Sequence, residues 1–255
     1  MRKVAEEYGE EGLEQYLTGE GFVGVKGELK NLIFAADGPK PKIVLRDSVN
    51  NVIEIVENAQ HCLVYDKPLG EDGLTWQMLV DWWQEHHDFE THREAARNLY
   101  ERLVRSLQGN SAEKIVLHSY AERYRPDGGF QLPALIPQVY LHYDPYTKKE
   151  LGKDGQVLGR QRMDFLMLLP NDQRVVIEVD GRQHYASGKN MENPDPDRYA
   201  EMVREDRRLR LRGYEVYRFG RAELEGDGAG TAVNDFFDAL LDRIHRSCPL
   251  RRLEV

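Results

Sequence analysis

Residues 174–185 read RVVIEVDGRQHY. A run of β-branched residues delivers two carboxylates, Glu178 and Asp180, and then stops at Gly181. Four to eight β-branched residues bounded by a turn signal read as a strand. Strand side chains alternate between faces, so Glu178 and Asp180 point one way while Val175, Ile177 and Val179 point the other. Carboxylates at the end of a buried strand are expensive to desolvate unless something pairs with them. A divalent cation is one such partner and an arginine is another.

The stretch before it, RMDFLMLL (162–169), is a second strand, and PNDQ (170–173) between them is a turn. The two strands are expected to pair antiparallel. Symmetric pairing about the turn sets Asp164 opposite Val179, and a bulge would shift that register by a residue. Either way three carboxylates, Asp164, Glu178 and Asp180, stand near the ends of paired strands. Such an all-oxygen set suits Mg²⁺ or Mn²⁺. Surface ion pairs compete as an explanation, Asp164 with Arg160 or Arg162 and Glu178 with Arg182.

Working outward, the second half of the chain (109–255) reads helix (112–124), strand (138–143), a polar hairpin, the two strands above, a polar loop, helix (197–213), strand (215–219) and helix (233–246). This α-β-β-β-α-β-α order makes the fold class α/β in the α+β sense. The first half (1–108) holds a helical pattern at 4–18, strands near 31–35, 42–46, 52–56 and 62–66, and two helices. Thr75 is the expected cap of the first of these two, and Ser111 of the helix that opens the second half. Trp76, Trp82 and Trp83 are expected in the core.

Composition bounds the rest. The 255 residues carry a net charge of −9. The imbalance lies in the first half, with 12 Lys and Arg against 20 Asp and Glu up to residue 109, and 23 against 24 beyond it. The chain as a whole is therefore no general polyanion binder, but one element can be cationic. On the 197–213 helix Arg204, Arg208 and Arg212 form one row flanked by Arg207 and Arg210. Arg204, Arg207 and Arg208 are candidate phosphate contacts, and a solvated face balanced by Glu201 and Glu205 is the alternative. Tyr199, Met202, Val203, Leu209 and Asp206 fall near one stripe, and an acid there is expected to pair with a buried arginine. Arg218 is a possible charge directed at the site. No apolar run is long enough to span a bilayer, and the two cysteines, Cys62 and Cys248, have no metal-ligand spacing. A soluble, cytoplasmic protein is expected.

The run RMDFLMLLPNDQRVVIEVDGRQHY, continued by YAEMVREDRRLRLRGYEVYRFG, resembles the PD-(D/E)XK nuclease superfamily, most closely the branch with the very-short-patch-repair endonucleases. The resemblance covers about residues 112–222. It implies a restriction-endonuclease-like core and a metal-dependent endonuclease acting on nucleic acid, DNA more than RNA. Asp164, Glu178 and the Val179 carbonyl would hold Mg²⁺ or Mn²⁺, and Glu113 matches a helical glutamate of some members. Asp180 stands where the superfamily usually has lysine, so Gln183 or His184 becomes the candidate for activating water. The missing lysine equally fits a catalytically degenerate binding or sensor module. Residues 20–85 resemble the N-terminal domain of AbiJ-type abortive-infection proteins. That likeness implies a recognition or regulatory module in anti-phage defence, answering to a protein or phage-derived trigger.

Overall fold

The structure is a computed structural model, and it describes residues 32–39, 41–47, 52–70, 72–140, 162–181, 185–188 and 193–247. The expected helix at 4–18 and hairpin at 144–160 lie outside the described residues, as do Arg182, Gln183 and His184.

The expected order of the second half is what forms, and the fold is α+β. Helix α3 (Ser111–Ala121) leads to strands β5 (Ile136–Tyr140), β6 (Arg162–Leu168) and β7 (Arg174–Asp180). A short ribbon, β8 (Ala186–Ser187) with β9 (Asn193–Pro194), occupies what the sequence suggests is plain loop. Helix α4 (Pro196–Leu211), strand β10 (Tyr214–Gly220) and helix α5 (Ala229–Ser247) complete it. The sheet order is β10-β7-β6-β5. β10 runs parallel to β7 and the other pairs are antiparallel. A parallel neighbour needs a crossover connection, which α4 supplies.

β7 is buried along its whole length, so both faces of the sheet are covered. On one face α5 lays Phe236 against Tyr217 and Phe219, and Phe237 against Tyr120 of α3. On the other, Asp206 and Arg210 of α4 reach Arg218 and the Val216 carbonyl of β10.

The first half contributes strands β1 (Leu32–Phe34), β2 (Lys42–Asp47), β3 (Val52–Glu57) and β4 (Leu63–Tyr65), close to their expected positions. Helices α1 (Trp76–Glu85) and α2 (His92–Ser106) follow, capped by the side chains of Thr75 and Thr91. The three tryptophans are buried as expected, and Trp76 stacks on Tyr124 with ring centroids 4.7 Å apart. The cap of α3 is Asn110 rather than Ser111; its side chain accepts from the Glu113 amide, as asparagine does at that position.

One hydrophobic core runs from Leu32 through α1 and α2 to Leu240, across the boundary at 108. Backbone bonds stitch the halves together. Ala35 N–H donates to the Pro137 carbonyl (3.1 Å), which places β1 beside the edge of β5. Within the first half, the buried Arg102 side chain of α2 donates to the Ala35 and His61 carbonyls at 2.8 and 3.2 Å, which holds β1 and the segment before β4 on α2. Leu74 N–H donates to the Leu168 carbonyl at the end of β6, and the Leu74 carbonyl accepts from Ala134. Gly73 makes this approach possible. Its φ is +75°, and a Cβ there would overlap the Leu168 carbonyl oxygen.

Gly73→Ala therefore meets two penalties, a left-handed backbone and a clash with main chain that has no rotamer to escape into. The expected loss is more than about 1 kcal/mol of folding stability, read from urea unfolding of the full chain.

Candidate active site

The β6–β7 turn decides how the acids meet. Asn171 and Asp172 both take left-handed backbones, φ 60° and 57°, as a tight hairpin turn demands. Gln173 N–H closes the turn on the Pro170 carbonyl, yet Leu169 N–H donates to the Gln173 carbonyl and Leu168 pairs with Arg174. The pairing is thus offset by one residue from the symmetric register. Phe165 lies opposite Ile177, the last regular pair, and the same register continued by one residue sets Asp164 against Glu178 rather than Val179. Opposed residues of an antiparallel pair have Cβ atoms about 4.5–5.5 Å apart.

The regular ladder ends at Phe165–Ile177. Beyond it the Asp164 side chain takes over, and its Oδ2 accepts from the Val179 N–H at 2.9 Å. Asp164, Glu178 and Val179 are thereby gathered at one place. Asp164 is 8% exposed and Glu178 is fully buried at 0%.

The polar row extends across the sheet. On β5, Gln138 falls between the Pro137–Phe165 and Val139–Met163 pairs, level with Asp164. Its Nε2 donates to Glu113 Oε2 of α3 at 2.5 Å. Asn110 donates its side-chain N–H to the other Glu113 oxygen. Burial pushes the Glu113 carboxyl up to about 7, and the nearby Asp164 charge adds to this against the opposing Arg162 charge and the two amide hydrogen bonds. On the far side Arg218 of β10 is the register partner of Glu178.

Arg218 binds two acids at once. Its Nη1 donates to both oxygens of Asp180 at 2.8 and 2.9 Å, and its Nε and Nη2 donate to Asp206 of α4. Burial alone would lower the Arg218 pKa, but the Asp206 and Asp180 bonds and charges outweigh it and raise it. The expectation that Asp206 meets a buried arginine is met. Asp180 shares the face of Glu178 as the strand period requires, but its carboxylate is held by Arg218. Among the described residues, no three of His, Cys, Asp and Glu stand at metal-holding spacing.

The arginine row divides. Arg208 pairs with Glu205 at 2.9 Å. Arg204 and Arg207 are exposed, one turn apart on the outer side of α4. Only Leu209 of this helix is buried, and Tyr199 is 56% exposed, so the apolar stripe expected from Tyr199 onward is not a core stripe. The helix packs at the sheet's rim over β10, where one turn suffices to anchor it. Gln138 and Asn110 were not suggested by the sequence as site residues. A glutamine inside the apolar run ALIPQVY was the available signal.

Hard oxygen donors of the kind a divalent ion accepts stand in this row, without three acids at ligand spacing among the described residues. The groups gathered around Asp164 are carboxylate and amide oxygens, and a buried amide oxygen of Gln138 has no hydrogen-bond partner. Compared with models of known families, with curated proteins and with solved structures, the chain matches none.

Two predictions follow from the electrostatics. A carboxyl whose pKa is higher folded than unfolded favours folding below its ordinary value, and that advantage is lost as pH rises through the folded value. For Glu113 the window runs from 4.5 to about 7, and the loss is on the order of 3 kcal/mol at 1.36 kcal/mol per pH unit. Urea unfolding in chelator at pH 5 and pH 8 should show this drop in wild type and a flatter profile in Glu113→Gln. Removing the shared cation, Arg218→Met, takes the arginine away from both Asp180 and Asp206. A loss of about 3–5 kcal/mol is expected in the same assay, with Arg218→Lys intermediate.

Proposed function

We propose that this chain is a metal-dependent nuclease of the PD-(D/E)XK type. The observation that carries the reading is the meeting of Asp164 and Glu178 at opposed positions of β6 and β7, buried, beside the Val179 amide. Glu113 adds a third acid to the neighbourhood through Gln138. A core that only needed packing has no use for acids there, because desolvating a carboxylate is unfavourable and an apolar residue avoids that cost.

Asp164, Glu178 and the Val179 carbonyl would hold Mg²⁺ or Mn²⁺, with Glu113 at the margin. The ion would neutralise charge on a phosphodiester and lower the pKa of water. The chain's residues supply the rest. Arg218 fixes Asp180 on the β10 side, so Asp180 borders the site as an anchored carboxylate. Gln183 and His184 follow directly from this strand and are the groups assigned to handle the water's proton. Arg204 and Arg207 offer charge to a phosphate backbone. DNA is the preferred substrate, and cytoplasmic anti-phage defence, triggered through the first half of the chain, is the proposed setting.

A second reading has support from the same pair. With Asp180 neutralised by Arg218 in place of a lysine, the fold would serve as a catalytically degenerate nucleic-acid-binding or sensor module. Incubation of the full chain with plasmid, single-stranded DNA and RNA, in Mg²⁺, Mn²⁺ or EDTA, separates the two. Metal-dependent cutting that falls to the EDTA background in Asp164→Ala and Glu178→Ala is the expected result. Variants that fold and cut at the wild-type rate rule out the assignment, and metal-independent binding without cutting supports the sensor reading.

A further inference from the structure

Gln138 is an odd residue for its position. It is 2% exposed, in the middle of β5, with a left-handed backbone at φ 56°. A non-glycine residue holds that conformation only when its surroundings impose it, and such residues cluster at functional sites. Its side-chain amide is used on one side only. Nε2 donates to Glu113, while Oε1 is buried with no hydrogen-bond partner. A buried carbonyl oxygen that has lost its water and gained no donor is unfavourable. A methionine or leucine would avoid this if packing were the only demand.

The unmatched atom is also in a telling place. The Nε2 bond fixes the amide against the Glu113 carboxylate, so Oε1 lies at the same end of the side chain. The residue is level with Asp164 across the β5–β6 ladder, and the Asp164 charge is felt at Glu113. A neutral oxygen next to the Glu113 carboxylate, on a residue level with Asp164, repels anions. It offers nothing to an apolar ligand and suits a hard cation, which accepts amide carbonyls alongside carboxylates.

We propose that Gln138 is a neutral oxygen ligand of this site, its Oε1 joining Asp164 and Glu113 in holding a divalent cation while its Nε2 orients Glu113. The assignment rests on the reading of Asp164 and Glu178 as a cation site and goes beyond it by naming a donor outside the acidic set. It also gives the bend of β5 a purpose, since the left-handed residue is what carries this amide into contact with α3.

The test is Mn²⁺ binding to the full chain without substrate, by calorimetry and by electron paramagnetic resonance of the free ion. The proteins are wild type, Gln138→Met, Gln138→Glu and Glu178→Ala. Gln138→Met removes the oxygen and the N–H donor together, and its affinity should fall about tenfold or more. Gln138→Glu keeps an oxygen at that place and loses the donor, and at pH 8 it should bind at least as tightly as wild type. If Gln138→Glu loses as much as Gln138→Met, the residue acts only through its N–H on Glu113 and the ligand assignment is overturned. Wild-type affinity in Gln138→Met overturns it as well, while loss of binding in Glu178→Ala supports the cation site on which the inference rests. No Mn²⁺ binding by wild type overturns the site and this inference together. Circular dichroism in EDTA checks each fold; should Gln138→Met fail to fold, Gln138→Glu decides alone, because weaker binding than wild type is then the overturning result.

Discussion

The arrangement of acids depends on a one-residue offset at the β6–β7 turn. A strand has a period of two, so which residues face each other is set by turn geometry and not by composition. Had the pairing stayed symmetric, Asp164 would stand opposite Val179, whose side chain points to the other face. With the offset, Asp164 stands opposite Glu178, and the ladder ends where the Asp164 carboxylate takes the Val179 amide. The left-handed pair Asn171 and Asp172 is what closes the turn. Asparagine and aspartate are the non-glycine residues that best tolerate that backbone.

Given that register, the charges sort themselves into two groups. Arg218 draws Asp180 and Asp206 to the β10 side and leaves that group with a single net negative charge. Asp164 and Glu178 stay at the centre, and Glu113 stands on the β5 side with amide donors on both of its oxygens. Two amides stabilise a carboxylate less than a cation does, which is why burial and the Asp164 charge still raise Glu113 to about 7. A proton is the default occupant of such a place at low pH. In the proposed site a divalent ion would compete for it as pH rises, because ligand carboxylates bind metal only when deprotonated.

Much of the fold was legible in the sequence. Arg174–Asp180 was bounded correctly because a β-branched run lies between a turn and a glycine. The start of α1 was legible from Thr75, and the four short strands of the first half from turn residues between apolar runs, while the cap of α3 fell one residue before the expected Ser111. What failed depended on tertiary placement. Periodicity put Tyr199 on a core stripe, but a helix docked at a sheet rim buries one turn, and Leu209 alone meets that need. Asp206 was legible as an acid seeking an arginine. That Arg218 would also capture Asp180 was not, because the pair is 38 residues apart and meets only through the parallel pairing of β7 with β10. Gln138 stood out only as a glutamine in an apolar run, and its role was not legible for a related reason, since its partner Glu113 sits on a helix and the contact runs through a left-handed residue.

The first half of the chain reaches the strands of the site through main-chain bonds at Leu74 and through the stacking of Trp76 on Tyr124. Leu74 clamps the end of β6 by its N–H and the segment before β5 by its carbonyl. The same three-stranded contact lets α1 pack Trp76 against Tyr124, whose hydroxyl donates to the Pro133 carbonyl and accepts from the Leu135 amide just ahead of β5. The strand carrying Gln138 and the strand carrying Asp164 are therefore held from one side by the segment around Gly73. Side chains in a packed core shift between discrete arrangements rather than bending smoothly. A displacement of the 70–76 segment would consequently move β5 and β6 together and change the spacing between Gln138, Asp164 and Glu113. This makes the packing of the first half a physical determinant of the site.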